Sequence, residues 1–129
     1  MAGGLCKQSA FRGAIIVAGA GTARRAIARW SNRAGSTADY FLVAPGERLP
    51  VDCDTRTCSV VSGSSYSVSY VAGAAALLIG RNPDRSARQI AEALLDSAHA
   101  NQRPRHIAGR RALDVARAMK AAEKPYATS

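Results

Sequence analysis

Short apolar runs in the first half of the chain predict β-strands. The runs are residues 14–18 (AIIVA), 40–43 (YFLV) and 59–61 (SVV). A continuous apolar run of this length, bounded by turn residues, is typical of a buried strand, and Gly19-Ala20-Gly21 directly follows the first run. Two polar stretches, 22–35 and 47–57, separate the runs, and we expect the second stretch to be an exposed loop.

The second half of the chain has helical periodicity. Apolar residues recur on nearly every side of the stretch 65–80, and a helix that is apolar all round is typically buried. An interior glycine, Gly73, costs about 1 kcal/mol relative to Ala, so we expect it to pack closely against a neighbouring element. Ser86 and Gln89 predict a capping box that opens a second helix, and a third helix follows Gly109. These patterns predict an α/β fold with a few short, mostly parallel strands, packed by the buried helix and two C-terminal helices.

Arginine dominates the charge of the 129-residue chain. It supplies 15 of the 18 basic residues, and the formal net charge is +9. The arginines are scattered through every segment, and no aromatic platform is interleaved with them. The charge therefore indicates nonspecific attraction to polyanions, and a basic nucleic-acid-binding domain is the less favoured interpretation.

The three cysteines are too few for a disulfide scaffold. Cys53 and Cys58 have no matching Cys/His pair downstream, and His99 and His106 lack the spacing of a zinc finger, so we expect no metal and no cofactor. Cys53 and Cys58 would form a local disulfide in an exported chain, leaving Cys6 unpaired, or would remain free thiols. The opening sequence MAGGLCKQSAFRG does not resemble a secretory leader, and no apolar run is long enough to span a membrane.

The glycines after the first strand permit a dinucleotide-binding interpretation. Gly19 and Gly21 would begin the phosphate-binding turn, with Asp39 as the ribose-binding acid. Arg24 stands where the third glycine is required. The conformation of residues 22–31 separates the alternatives, because this interpretation requires a helix there and not an extended hairpin.

A serine at the start of the long helix is the strongest candidate for chemistry. Residues 61–65 read VSGSS, which predicts a strand, a glycine turn and Ser65 on the first helical turn. A hydroxyl there lies in the positive field of the helix N-terminus, and an oxyanion formed by its attack would lie near unpaired backbone N–H groups. The alternative is that Ser65 only caps the helix.

Several segments in a fixed order resemble the subtilisin-like serine proteases. Gly63-Ser64-Ser65 and the following Val-Ala-Gly at 71–73 resemble the serine segment of that family. The other matching segments are ARWSNRAG at 28–35, FLVAPG at 41–46, NP at 82–83 and LDV at 113–115. The amino-acid sequences of the first two of these segments are also similar to those of the autotransporter branch of the family.

The resemblance implies the C-terminal half of a subtilisin-like fold. On this basis residues 13–122 are a partial peptidase domain, 1–12 are an unassigned N-terminal segment and 123–129 are a loose tail. The family also implies an exported or cell-surface protein, although the chain shows no signal peptide. We expect an exposed sheet edge and an unpaired apolar face to make the isolated chain marginally stable or self-associating.

The same resemblance assigns one catalytic residue. Ser65 matches the nucleophile, and its own N–H would be half of the oxyanion hole. The family's Asp, His and oxyanion Asn lie upstream of the aligned region and have no counterpart here, and neither His99 nor His106 is in a segment that the family uses for catalysis. We therefore predict a serine endopeptidase fragment that is inactive alone and cleaves peptides only when its missing half is supplied.

Within the serine segment the sequence departs from the family pattern. Tyr66, Ser69 and Tyr70 replace its Met or Phe, its Pro and its His, and Arg111 replaces a glycine near the end. These departures fit a divergent peptidase, and they also fit a non-catalytic remnant that acts as a binding module.

Overall fold

Strands and helices alternate in the computed structural model, which describes residues 15–99 and 104–123. In chain order the elements are β1 (Val17–Gly21), a 3-10 helix (Gly35–Tyr40), β2 (Phe41–Pro45), β3 (Leu49–Val51), β4 (Ser59–Val61), α1 (Ser64–Arg81), α2 (Ala87–Asp96), α3 (Arg105–Ala108) and α4 (Val115–Glu123). The mixture confirms the predicted α/β class. The unassigned segment 1–12 and residues 124–129 of the predicted tail lie outside the described residues.

A small parallel sheet lies at the centre of the fold. β1 runs parallel to β2, and the register begins with Val17 opposite Phe41. Beyond β2 the sheet continues as single-residue bridges, in which Val43 pairs with Ala112 and Ala112 pairs with His99. Residues 41–44 are all buried, as expected for a strand that is covered on both faces.

The third predicted strand does not join this parallel sheet. β4 pairs antiparallel with β3, so that the two strands form a separate hairpin. Three residues of the predicted loop 47–57, Leu49–Val51, are therefore strand, and the hairpin is closed by a disulfide between Cys53 and Cys58. The tip is also held by Asp54, whose carboxylate accepts the N–H groups of Arg56 and Thr57, each at 2.7 Å, and these hydrogen bonds lower the pKa of Asp54.

The first strand extends through the glycines that the pattern predicts as its end. A Cβ atom on Gly19 would lie 2.3 Å from Cζ of Phe41, and one on Gly21 would lie 2.8 Å from Cγ1 of Val43. Both partners are buried in the core and cannot turn away. The two glycines are thus required by the close packing of β1 on the side chains of β2.

Helix α1 is buried on one side only, so the prediction of burial all round is wrong. The buried side consists of Ser67, Val71, Ala74 and Leu78. Gly73 lies on the exposed side, and no atom lies within 4 Å of a Cβ placed on it, so close packing does not explain this glycine. The sequence pattern correctly shows apolar residues on every side of α1, but no described residue covers the sides that face away from the core.

The two C-terminal helices complete the core against α1. The capping box is confirmed, because the Ser86 hydroxyl accepts the Gln89 N–H and the Gln89 side chain accepts the Ser86 N–H. α2 and α4 pack on each other and on α1, and Ala118 and Ala122 of α4 join the cluster around Leu78. In the described part of the chain, no helix is both long and apolar enough to cross a membrane.

Two glycine substitutions should change stability in opposite directions. Gly19→Ala should lower the free energy of unfolding by about 1–3 kcal/mol, because its methyl group collides with the buried ring of Phe41. Gly73→Ala should raise it by about 0.5–1 kcal/mol, because the helix gains propensity and the methyl group meets open space. Urea unfolding measures both effects, and changes of the same sign would contradict this account of the packing.

Removing the disulfide should cost about 2 kcal/mol of unfolding free energy, since it closes a short loop. The measurement compares the native chain with a Cys53→Ser, Cys58→Ser double variant in urea. A dithiol reductant should destabilise the native chain by the same amount and leave the double variant unchanged. An equal loss in both proteins would show that the reductant acts elsewhere.

Candidate active site

Ser65 is exposed on the first turn of α1 and does not cap the helix. The N-cap residue is Gly63, which has extended backbone and no side-chain capping hydrogen bond. The capping alternative for Ser65 is therefore excluded by the position of the helix start. Because the N–H groups of the first turn of a helix lack intrahelical acceptors, the region around this hydroxyl favours negative charge.

The turn after β2 holds the loop that precedes the serine. The Gly63 N–H donates to the Gly46 carbonyl at 2.8 Å. Gly46 is held in turn by β1, because the Gly21 carbonyl accepts the N–H groups of Gly46 at 3.0 Å and of Glu47 at 3.1 Å. A continuous path of main-chain hydrogen bonds thus runs from the end of β1 through the Pro-Gly turn to the helix start.

Ser67 locks the helix onto the same turn. Its side chain is fully buried, and its hydroxyl donates to the carbonyls of Ala44 at 3.0 Å and Pro45 at 3.2 Å. A Cβ on Gly46 would lie only 2.3 Å from the Ser67 oxygen, so the turn needs glycine at this position. The sequence pattern did not identify Ser67, since a buried hydroxyl bonded to a distant main chain leaves no periodic signal.

The hairpin approaches the serine loop from the other side. The Arg48 N–H, just before β3, donates to the Ser62 hydroxyl at 2.8 Å, just after β4. This hydrogen bond joins the open end of the hairpin directly ahead of the helix start. Both strands of the hairpin therefore fix the path of the chain into Ser65.

The segment 28–35 also supports the site through side chains. The hydroxyl of Ser31 is buried and accepts the Ala20 N–H of β1 at 2.9 Å. Trp30 is half exposed, and its indole N–H donates to the Glu47 carboxylate at 2.9 Å, next to the Pro-Gly turn. In the sequence this segment stood out only by its resemblance to the family. In the structure, Ser31 and Trp30 each form a hydrogen bond with a residue outside the segment.

Neither histidine is brought to Ser65. His99 exchanges main-chain hydrogen bonds with Ala112 at the far edge of the sheet, and His106 lies in the short helix α3. Among the residues that the structure describes, no group of His, Cys, Asp or Glu could hold a metal ion. Within residues 15–99 and 104–123, the candidate site is therefore the Ser65 hydroxyl with its backbone surroundings.

The dinucleotide-binding interpretation is wrong. Residues 22–31 contain no helix: the Thr22 N–H donates to the Ala26 carbonyl at 2.8 Å in a tight turn, and Ile27 forms an antiparallel bridge back to Gly21. A phosphate-binding helix N-terminus is thus missing after β1.

Solved structures with the same fold are proteases and a related macrocyclase. The prenylagaramide maturation protease PagA matches with a TM-score of 0.71 and 21% identity over 84% of this chain and 42% of its own. The patellamide maturation protease PatA matches with a TM-score of 0.68 and 25% identity over 85% of this chain and 43% of its own. The PatG macrocyclase in complex with a peptide gives a TM-score of 0.70 at 21% identity, over 84% of this chain and 36% of its own.

This chain therefore spans less than half the length of the structures that it matches. The likeness to the autotransporter branch stays a prediction. A sequence model of the subtilase family matches residues 5–112, which is most of the chain. The match, together with the shared fold, confirms the resemblance: the chain belongs to the subtilase family.

Proposed function

We propose that Ser65 is the nucleophile of a serine peptidase domain of which this chain forms part. The observation that carries the proposal is its position, an exposed hydroxyl on the first turn of α1. Hydrogen bonds from Gly63 to Gly46 and from Arg48 to Ser62 fix the backbone of the loop ahead of it, which supports a defined position for Ser65. A nucleophile must be both accessible to substrate and held in one place.

The surroundings of Ser65 suit acyl transfer. Attack of its oxygen on a peptide carbonyl creates an oxyanion, and the hydroxyl proton passes to a general base. The oxyanion forms next to the N-terminus of α1, where backbone N–H groups and the helix dipole stabilise negative charge. Membership of the subtilase family supports a peptide as the substrate, cleaved through an acyl-enzyme on Ser65.

The base, the orienting acid and the second oxyanion donor must come from the part of the domain that this chain does not span. The described residues place neither His99 nor His106 in a hydrogen bond with Ser65. Loss of base and acid costs on the order of 10⁴–10⁶ in rate, and loss of an oxyanion donor costs about 10²–10³ more. The 129-residue chain alone is accordingly a negligible protease.

The isolated chain should not react with a fluorophosphonate, a probe that labels only activated serines. Labelling is measured by intact mass and by peptide mapping after incubation with excess probe. Stoichiometric modification at Ser65 would overturn the proposed inactivity of the isolated chain, because it would require a base within this sequence.

Supplying the rest of the domain should activate Ser65. The design joins the remainder of the PatA protease domain to this chain from residue 15 onward, with a cooperative thermal transition as the folding criterion. The folded chimera should be labelled on Ser65, Ser65→Ala should abolish labelling, and the matched neighbour variant Ser64→Ala should retain most of it. A folded chimera that is not labelled would favour the non-catalytic binding module.

A further inference from the structure

The disulfide-closed hairpin leads directly into the turn that carries Ser65. β4 ends at Val61 and α1 begins at Ser64, so the second strand of the hairpin continues almost without interruption into the first helical turn. The bond between Cys53 and Cys58 closes the other end of the same hairpin. A change in the pairing of β3 with β4 therefore reaches the start of α1 through a short stretch of backbone.

The disulfide is the main restraint on the tip of the hairpin. Each strand has three residues, and every residue from 52 to 60 is exposed. A two-stranded hairpin of this kind is marginally stable at best in water, because it buries few apolar groups and water competes for its hydrogen bonds. A cross-link across a loop this short favours the closed hairpin by roughly 30-fold. Reduction of the disulfide should therefore open the hairpin in most molecules.

The backbone at both ends of β3 is in an unfavourable conformation. The angle φ is +54° at Arg48, directly before the strand, and +50° at Asp52, directly after it. Residues with a Cβ atom rarely adopt such angles, and the conformation persists only where the surrounding structure holds it. The hydrogen bond to Ser62 holds the first position, and the disulfide at Cys53 holds the second. Opening the disulfide removes one of these two restraints.

Two hydrogen bonds connect the hairpin to the loop ahead of α1. The Arg48 N–H donates to the Ser62 hydroxyl, and the Gly63 N–H donates to the Gly46 carbonyl, each at 2.8 Å. Both bonds require β3 and β4 to stay in register, because the two strands set the distance between these segments. Ser67 holds α1 on β2 independently of the hairpin. The loosened segment therefore ends within the first helical turn, which carries the candidate nucleophile.

The disulfide is also accessible to thiols, since Cys53 and Cys58 are both exposed. The thiolate of a dithiol reductant attacks one sulfur and forms a mixed disulfide, which the second thiol of the reductant resolves. The Cys53–Cys58 bond breaks, the two cysteines take up two electrons and two protons as thiols, and the reductant becomes a disulfide.

We propose that the Cys53–Cys58 disulfide is a redox-sensitive switch for the serine loop. The oxidised hairpin holds residues 62–65 in one conformation, and reduction releases them while the core stays folded. The conformational change depends only on the contacts of the hairpin. Its effect on catalysis rests on the proposed role of Ser65, so the two parts are tested separately.

Amide NMR spectra of the full chain in a Cys6→Ser background test the conformational change. A dithiol reductant should move the amide resonances of Arg48 and Gly63 toward random-coil positions in most molecules. The resonances of Val43 and Leu113 should stay in place, because their N–H groups form hydrogen bonds within the core. Reoxidation should restore the original spectrum.

Two variants control for other effects of the reductant. The Cys53→Ser, Cys58→Ser double variant should give the spectrum of the reduced chain both with and without the reductant. Thr55→Ala changes an exposed residue inside the same ring and leaves both sulfur atoms in place, so it should respond to the reductant like the unmodified chain.

The folded PatA chimera tests the effect on Ser65. Its labelling by a fluorophosphonate should be at least 10-fold slower after reduction, since a nucleophile misplaced by about 1 Å can lose on the order of 10²-fold in rate. The Cys53→Ser, Cys58→Ser chimera should be labelled at the slow rate in both conditions. A chimera that is labelled in neither state would count against Ser65 as the nucleophile, and the spectra of the chain would still decide whether the hairpin is a switch.

Three results would overturn the proposal. In the first, Arg48 and Gly63 keep their resonances after reduction, which means that the hairpin holds without its cross-link. In the second, the resonances of Val43 and Leu113 move with them, which means that the disulfide stabilises the whole chain and not this segment. In the third, a labelled chimera reacts equally fast in both redox states, which would remove the link to Ser65.

Discussion

The contact between the Pro45-Gly46 turn and α1 determines where every other part of the site lies. Gly46 has no side chain, so the Ser67 hydroxyl can approach the turn and donate to the carbonyls of β2. The same turn accepts the Gly63 N–H and is itself held by β1. Since β1, β2 and α1 all meet at these few atoms, the position of Ser65 follows from the packing of the core.

Glycines let the backbone pack closely against neighbouring segments at several points in this fold. Gly19 and Gly21 leave room for the side chains of Phe41 and Val43. Gly109 has a φ of +58°, and a Cβ placed on it would lie 2.6 Å from the Phe41 carbonyl oxygen. Glycine therefore stands where two segments are in close contact. Nearby, buried serine hydroxyls form hydrogen bonds with main-chain groups of the sheet: Ser31 accepts the Ala20 N–H, and Ser67 donates to the Ala44 carbonyl. Stability of a small core depends on such contacts because few large side chains are available to it.

Features that depend on neighbouring residues could be predicted from the sequence, whereas contacts between distant segments could not. The capping box of α2 was predicted because both partners lie within one turn, and the serine at the start of α1 was predicted from five consecutive residues. The pairing of β3 with β4 was missed, because β3 lies in the polar stretch 47–57, whose composition predicts an exposed loop. The extent of burial of α1 was also misjudged, since periodicity shows which residues are apolar but not what covers them.

The hairpin disulfide has a consequence for the unfolded chain. Cys53 and Cys58 are only five positions apart, so bringing their sulfur atoms together costs little chain entropy even without a folded core. Under oxidising conditions the denatured ensemble therefore already contains a closed ring at the hairpin tip. Refolding from that ensemble starts with the β3–β4 turn in place and leaves the long-range pairing of β1 with β2 as the slower step.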